Sequence, residues 1–137
     1  MKIVIDTNVI ASAMFFGGQP GTLVRLLVFN DFQACVSNEI LNEYERIMEE
    51  LSLKYPYKPM QFSLDEIIKY MEKITPTTHV EICRDPDDNK FIECAIDGKC
   101  IYIVSGDKDL LTLNNFNGVQ IVTVSEFLNT YYPELFS

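Results

Sequence analysis

The chain has 137 residues, a formal net charge of −9, 47% hydrophobic and 23% charged residues. That length suits one domain, spanning 1–137, with a core that needs no covalent staple, and no apolar run reaches the roughly 18 residues of a membrane span. The acidic balance argues against broad, nonspecific nucleic-acid binding, which needs clustered Lys and Arg.

In chain order, short β-rich runs predict strands near 2–6, 33–37, 79–82, 101–104 and 119–123. Longer apolar periods predict helices near 8–14, 20–30, 38–52, 63–74, 87–97 and 125–131. Strands alternating with helices give an α/β fold, a three-layer domain with a parallel five-stranded sheet. In the third helix Leu41, Tyr44, Met48 and Leu51 form an inward stripe, and Glu45, Arg46, Glu49 and Glu50 face water. Pro56 and Pro59 break the pattern after it. Cys35, Cys83, Cys94 and Cys100 form no C-x-x-C pair and read as small core residues rather than zinc ligands. Met1-Lys2-Ile3 leads straight into a strand without a small-residue cleavage site, so a cytoplasmic location is expected.

Chemistry is concentrated in acids at strand ends and helix starts. The run Lys2-Ile3-Val4-Ile5 stops on Asp6, and Ile101-Tyr102-Ile103-Val104-Ser105-Gly106 stops on Asp107. In an open parallel sheet, ligands bind at the carboxyl edge, so two acids placed there suggest a metal site. The competing reading makes Asp6 a helix cap before Thr7-Asn8 and Asp107 a loop acid, with Gly106 allowing a sharp turn. Arg84-Asp85-Pro86-Asp87-Asp88-Asn89-Lys90 sets three acids at a helix start. Asp88 shares a face with Ile92 and Ala95 and is chosen as the inward acid, with Asp85 the alternative and Asp87 toward solvent. Glu43 lies four residues beyond Glu39 and beside the inward Tyr44.

These acids in order, Asp6-Thr7-Asn8, Glu43, Asp88 within Asp-Asp-Asn-Lys-Phe-Ile-Glu-Cys-Ala, and Asp107 within Ser-Gly-Asp-Lys-Asp-Leu, resemble those of the PIN-domain nucleases. The likeness spans nearly the whole chain and is greatest to the small prokaryotic PIN proteins related to VapC-type toxins. It implies that Asp6, Glu43, Asp88 and Asp107 bind Mg²⁺ or Mn²⁺ and act as the catalytic acids of an endoribonuclease that cuts single-stranded RNA with metal-activated water. It further implies supporting roles for Thr7, Asn8, Ser105 and Asp109, a protein antitoxin as partner, and self-association through the early helices. The apolar tail Phe127, Tyr131, Tyr132, Leu135 and Phe136 is a candidate surface for such contacts.

Other features are read more plainly. His79, the only histidine, excludes a His-based zinc site and a Ser-His-Asp triad. Gly17-Gly18-Gln19-Pro20-Gly21 lacks the Lys-Ser/Thr of a phosphate loop and reads as a turn. Tyr55, Tyr57 and Lys58 read as exposed connection residues, with RNA stacking the lesser alternative. Lys90 and Lys108 are weighed as phosphate contacts against ordinary surface lysines. Two further readings compete: a receiver-like Mg²⁺-binding signalling domain, which needs an acceptor Asp ending a middle strand, and a catalytically inactive PIN binding module.

Overall fold

A computed structural model describes residues 1–136, the side chain of Phe136 excepted, so that part of the apolar tail lies outside the described residues. The chain runs β1 (Lys2–Ile5), α1 (Thr7–Phe15), α2 (Gly18–Val28), β2 (Gln33–Val36), α3 (Asn38–Lys54), α4 (Leu64–Ile68), β3 (Met71–Lys73), a 3₁₀ turn (Pro86–Asp88) and α5 (Asn89–Asp97). It continues through β4 (Tyr102–Val104), α6 (Lys108–Leu113), β5 (Asn115–Phe116), β6 (Val119–Val122), α7 (Val124–Tyr131) and a closing 3₁₀ turn (Pro133–Phe136). Helices flank one six-stranded sheet of order β3-β2-β1-β4-β6-β5. Among the described residues, no helix is long and apolar enough to cross a membrane.

Ile3, Val4 and Ile5 of β1 are fully buried, as expected of a central parallel strand covered on both faces. β1 pairs in parallel with β2 on one side (Ile3 opposite Ala34) and with β4 on the other (Val4 opposite Ile103, Ile5 opposite Val104). α5 lies across β1, β2, β4 and β6, presenting Phe91, Ile92, Cys94 and Ala95 to the core. Of the expected α3 stripe, Tyr44 and Met48 are buried and Leu41 and Leu51 only partly so, with Ile40 buried beside them, and Ser37 caps that helix by accepting from the Ile40 N–H at 3.3 Å. Cys35, Cys94 and Cys100 are buried free thiols.

The sheet departs from the predicted one in three places. Residues 79–82 form no strand, because their backbone is fastened to α5 by side chains instead of by a ladder. Glu93 accepts from Val80 N–H at 3.0 Å, Asn89 from Ile82 and Cys83 N–H at 3.3 and 3.0 Å, and Asp97 from Thr77 and Thr78 N–H. This removes the middle strand on which the receiver-like reading depended. The predicted helix 63–74 is only α4, and its end is the edge strand β3, pairing in parallel with β2. Lys2 binds Glu72 of β3 at 2.8 Å, an edge dressed with charge. Finally, β5 pairs antiparallel with β6, joined by Asn117-Gly118, both at positive φ (50° and 83°). Asn-Gly is the sequence signature of that two-residue turn. The sheet therefore has six strands and is mixed rather than five and all parallel, and a short helix, α6, follows β4 where none was expected.

Candidate metal centre

The sheet brings its acids together at the carboxyl edge of β1 and β4. Asp6 continues β1, its N–H donating to Val104 O at 2.9 Å, and its side chain is almost wholly buried at 6% exposure. It occupies the cap position of α1 without making a side-chain capping bond, so capping does not account for it. Ser105 just past β4 donates its hydroxyl to Asp6 at 2.6 Å and accepts the Asp107 N–H at 3.0 Å. One buried hydroxyl thus ties the two strand tips to each other. Burial pushes the Asp6 carboxyl above its ordinary value, against the Ser105 hydrogen bond and with the negative charges of Glu43 and Asp107.

Asp107 accepts the Asp109 N–H at 3.1 Å and so caps α6. Gly106 beside it has no left-handed backbone, the glycines with positive φ among the described residues being Gly17, Gly18 and Gly118. The turn there, closed by the Ser105 hydroxyl accepting the Asp107 N–H, therefore does not draw on the left-handed freedom of Gly106. Asp109 itself pairs with Arg84 at 3.5 Å on the surface.

Asp88 ends the 3₁₀ turn ahead of α5, half-buried, one residue before the helix rather than within it. Its carboxyl is pushed up to about 7 by burial, then by the negative charges of Asp107, Asp85 and Asp6 and a hydrogen bond with Asp107. Asp85 is exposed and spends one oxygen on the Asp87 N–H at 3.0 Å. Of the two, Asp88 is the one that feels the strand-tip acids from a half-buried position.

Glu43 reaches the cluster from α3 because Tyr44 beside it is locked inward, its hydroxyl donating to Ile5 O at 2.5 Å. Both Glu43 oxygens are engaged: Oε2 accepts from the Thr7 hydroxyl and Oε1 from Lys90 Nζ at 2.9 Å. Lys90 also binds Asp87 at 2.9 Å and is 6% exposed. Burial opposes its charge, yet the bonds to Glu43 and Asp87 hold its pKa above the ordinary lysine value. Lys90 is therefore no ordinary surface lysine, its ammonium being committed to Glu43 and Asp87; Lys108 is exposed. The missed signal was helical: Lys90 stands four residues before the buried Cys94 on the inward side of α5.

Asn8 is exposed and lines a cleft of about 330 Å³ with Ser12, Gln19, Ser105, Gly106 and Ser125. A second cleft, about 420 Å³, is bordered by Arg84, Asp88, Asp109 and Leu110. The acid cluster lies between them, sharing Ser105 with one and Asp88 with the other. Tyr57 is 96% exposed, whereas Lys58 lies over the Phe16 ring at 4.8 Å.

Asp6, Glu43, Asp88 and Asp107 offer oxygen donors alone, the set that hard divalent cations such as Mg²⁺ and Mn²⁺ prefer. Burial first, and then the negative charge of neighbouring acids, raises the Asp6 and Asp88 carboxyls, and a cation would relieve the latter. Among the described residues, however, no three His, Cys, Asp or Glu side chains stand as a ready-made cage. The cluster fits such an ion in donor chemistry and charge without being assembled around its position.

The sequence profile of the PIN domain matches residues 2–109. The chain is 34% identical over 122 residues to the uncharacterized protein MJ1680 of Methanocaldococcus jannaschii, covering 85% of this chain and 77% of that protein. No solved structure matches it. PIN domains are in general nucleases, usually working with divalent metals. With the profile spanning most of its length, and every element from β1 to the start of α6 inside the match, the chain belongs to the PIN domain family.

Proposed function

We propose that this protein is a Mg²⁺- or Mn²⁺-dependent endoribonuclease that cleaves single-stranded RNA, the toxin of a toxin–antitoxin pair acting in the cytoplasm. The observation that carries the nuclease reading is the convergence of Asp6, Asp88 and Asp107 from three separate elements, where burial, and after it the negative charge of neighbouring acids, holds the carboxyls of Asp6 and Asp88 above their ordinary values. Asp6, Glu43, Asp88 and Asp107 are the residues that would hold the metal and act in catalysis, supported by Thr7, Asn8, Ser105 and Asp109. A bound divalent ion supplies an activated water and stabilises charge developing on the scissile phosphate.

The rest falls to the chain. Ser105 keeps Asp6 oriented and Thr7 keeps Glu43 oriented, so neither carboxylate has to be ordered when substrate arrives. Asp107 is held by its capping bond. Arg84, with its side chain 85% exposed beside Asp88, offers a cation to the RNA backbone. The neutral groups of the other cleft, Asn8, Ser12, Gln19 and Ser125, suit base and ribose contacts, which do not require a basic surface. With a net charge of −9, RNA binding should depend on the metal.

The partner reading draws support from an apolar groove of about 510 Å³ lined by Met14, Met48, Leu53, Met60 and Leu64, with Leu53 85% exposed. Exposed Phe16 and Phe29, near the ends of α1 and α2, suit self-association into a homo-oligomer. The deciding experiment is digestion of a mixed RNA pool with Mg²⁺, Mn²⁺ or EDTA, with fragment ends mapped. Cleavage with metal, lost with EDTA and leaving 5′-phosphate and 3′-hydroxyl ends, is expected. No cleavage by the freshly purified chain, or 2′,3′-cyclic phosphate ends, would overturn the mechanism; absence of growth inhibition on expression alone would overturn the toxin role.

A further inference from the structure

The 20 acids of the chain are unevenly spread. Residues 7–30, which hold α1 and α2, contain none, and neither do residues 51–64, from the last turn of α3 to the start of α4. The two segments touch. Gln61 N–H donates to Met14 O at 2.8 Å, and Tyr55 packs against Phe15 and edge-on against Phe16, with ring centres 6.5 and 5.7 Å apart. In a protein of net charge −9 these segments make a face that bears no carboxylate of its own, where a polyanion is least repelled.

Lys54 and Lys58 stand exposed on that face, and among the described residues neither pairs with an acid. Each ammonium rests over a ring instead: Lys54 Nζ lies 5.5 Å from the centre of Tyr55 and Lys58 Nζ 4.8 Å from that of Phe16. Between the two lysines Tyr57 projects at 96% exposure, in a segment that Pro56 and Pro59 stiffen by fixing their φ angles. A bare aromatic ring between two unpaired ammoniums is the combination that holds single-stranded nucleic acid, with a base stacked on the ring and phosphates meeting the cations. Tyr55 follows Glu43 by twelve residues along α3, a rise of about 18 Å, or about five nucleotides at the 3.4 Å spacing of a stacked strand. Resting on the nuclease reading above, we propose that Lys54, Tyr57 and Lys58 form a stacking platform for single-stranded RNA, which holds the strand about five nucleotides away from the acid cluster. Its hold on RNA does not wait for the metal, which only the stretch over the acids requires.

Fluorescence anisotropy of the full chain in EDTA with a labelled oligouridylate dodecamer tests it. Tyr57→Ala should weaken binding by about tenfold, the effect of losing one stacked base. Tyr57→Phe keeps the ring and should bind like the wild type, and Lys54→Gln with Lys58→Gln should lower both the affinity and its dependence on salt. In Mn²⁺, Tyr57→Ala should raise KM for the same dodecamer about tenfold and leave kcat unchanged. Because Tyr57 is almost wholly exposed, its variants should melt with the wild type. No binding in EDTA, or binding indifferent to Tyr57→Ala, overturns the proposal. So does a change of oligomeric state on gel filtration in place of a change in affinity, which would make this face a contact between copies. The same preparations separate the two readings: Tyr57-dependent binding without cleavage in Mn²⁺ sinks the ribonuclease and leaves the platform, and cleavage with a KM indifferent to Tyr57 does the reverse.

Discussion

Replacing Asp88 by asparagine should stabilise the metal-free protein, and the gain should depend on pH. The Asp88 carboxyl is pushed from the usual aspartate range up to about 7 by its burial and by Asp107, Asp85 and Asp6. Between roughly pH 4 and 7 the folded chain therefore holds a proton that the unfolded chain has released, and stability falls as pH rises through that window. Below it both states are protonated and the penalty vanishes; above about 7 it is fully present. A shift of about three units corresponds to roughly 4 kcal/mol, but Asp88 is half open to solvent, and screening reduces this to about 1–2 kcal/mol. For a chain of this size that is a rise in Tm of about 4–8 °C for Asp88→Asn at pH 8, shrinking to nothing near pH 4. Thermal melts in EDTA at both pH values measure it. Saturating Mn²⁺ should raise the wild-type Tm far more than that of the variant and narrow the difference. An equal offset at both pH values, or a variant less stable at pH 8, would refute the idea that burial among neighbouring acids raises the Asp88 carboxyl.

Asp6→Asn and Asp107→Asn should each abolish metal-dependent RNA cleavage, a loss of at least about 100-fold, while the apo Tm stays level or rises; unfolding by either would show the acids to be structural. Tyr44→Phe leaves the buried Ile5 carbonyl without its 2.5 Å donor and should cost about 1–3 kcal/mol in urea unfolding, an unchanged midpoint counting against it. Gly98→Ala drives a Cβ to 2.8 Å from the Cys94 carbonyl and 3.0 Å from Cys35 Sγ, so a loss of about 1–3 kcal/mol is expected. Gly106→Ala meets nothing within 4 Å and should leave Tm unchanged. A single 2′-deoxy nucleotide 5′ of the cut should slow cleavage by about tenfold at most, through one lost hydrogen bond; complete protection would point to attack by the ribose itself.

Burial on both faces made the central strands legible in the sequence, because Ile3-Val4-Ile5 and Ile103-Val104 have nothing but apolar neighbours to satisfy. The same runs fixed where Asp6 and Asp107 would stand. What escaped was pairing decided by distant groups. Residues 79–82 carry a β-like pattern, but Glu93 and Asn89 take the Val80 and Ile82 N–H groups, Asp97 takes those of Thr77 and Thr78 just before, and these acceptors come from a helix further along the chain. β3 is three residues with two charges, too short to outweigh the helical rhythm before it. β5 was readable, since Asn117-Gly118 announces the hairpin. At the site, strand ends and a helix start singled out Asp6, Asp107 and Asp88 as candidates and the family resemblance added Glu43, but Lys90 read as an ordinary surface lysine, because a lone lysine beside three acids looks like surface until its buried helical neighbours are counted.

The hydrogen bond from Ser105 to Asp6 joins residues 99 positions apart, and β1 gains its β4 partner only at residues 102–104. During synthesis Asp6 and Glu43 therefore emerge well before the serine that orients Asp6, and before Asp107. For an enzyme proposed to attack RNA, this order of assembly would delay the first cut until the codons for Ser105 and Asp107 have been read. Over the same interval the Ile3-Val4-Ile5 edge of β1 is bare and apolar. The nascent chain thus exposes an edge that needs covering before its acid cluster is complete.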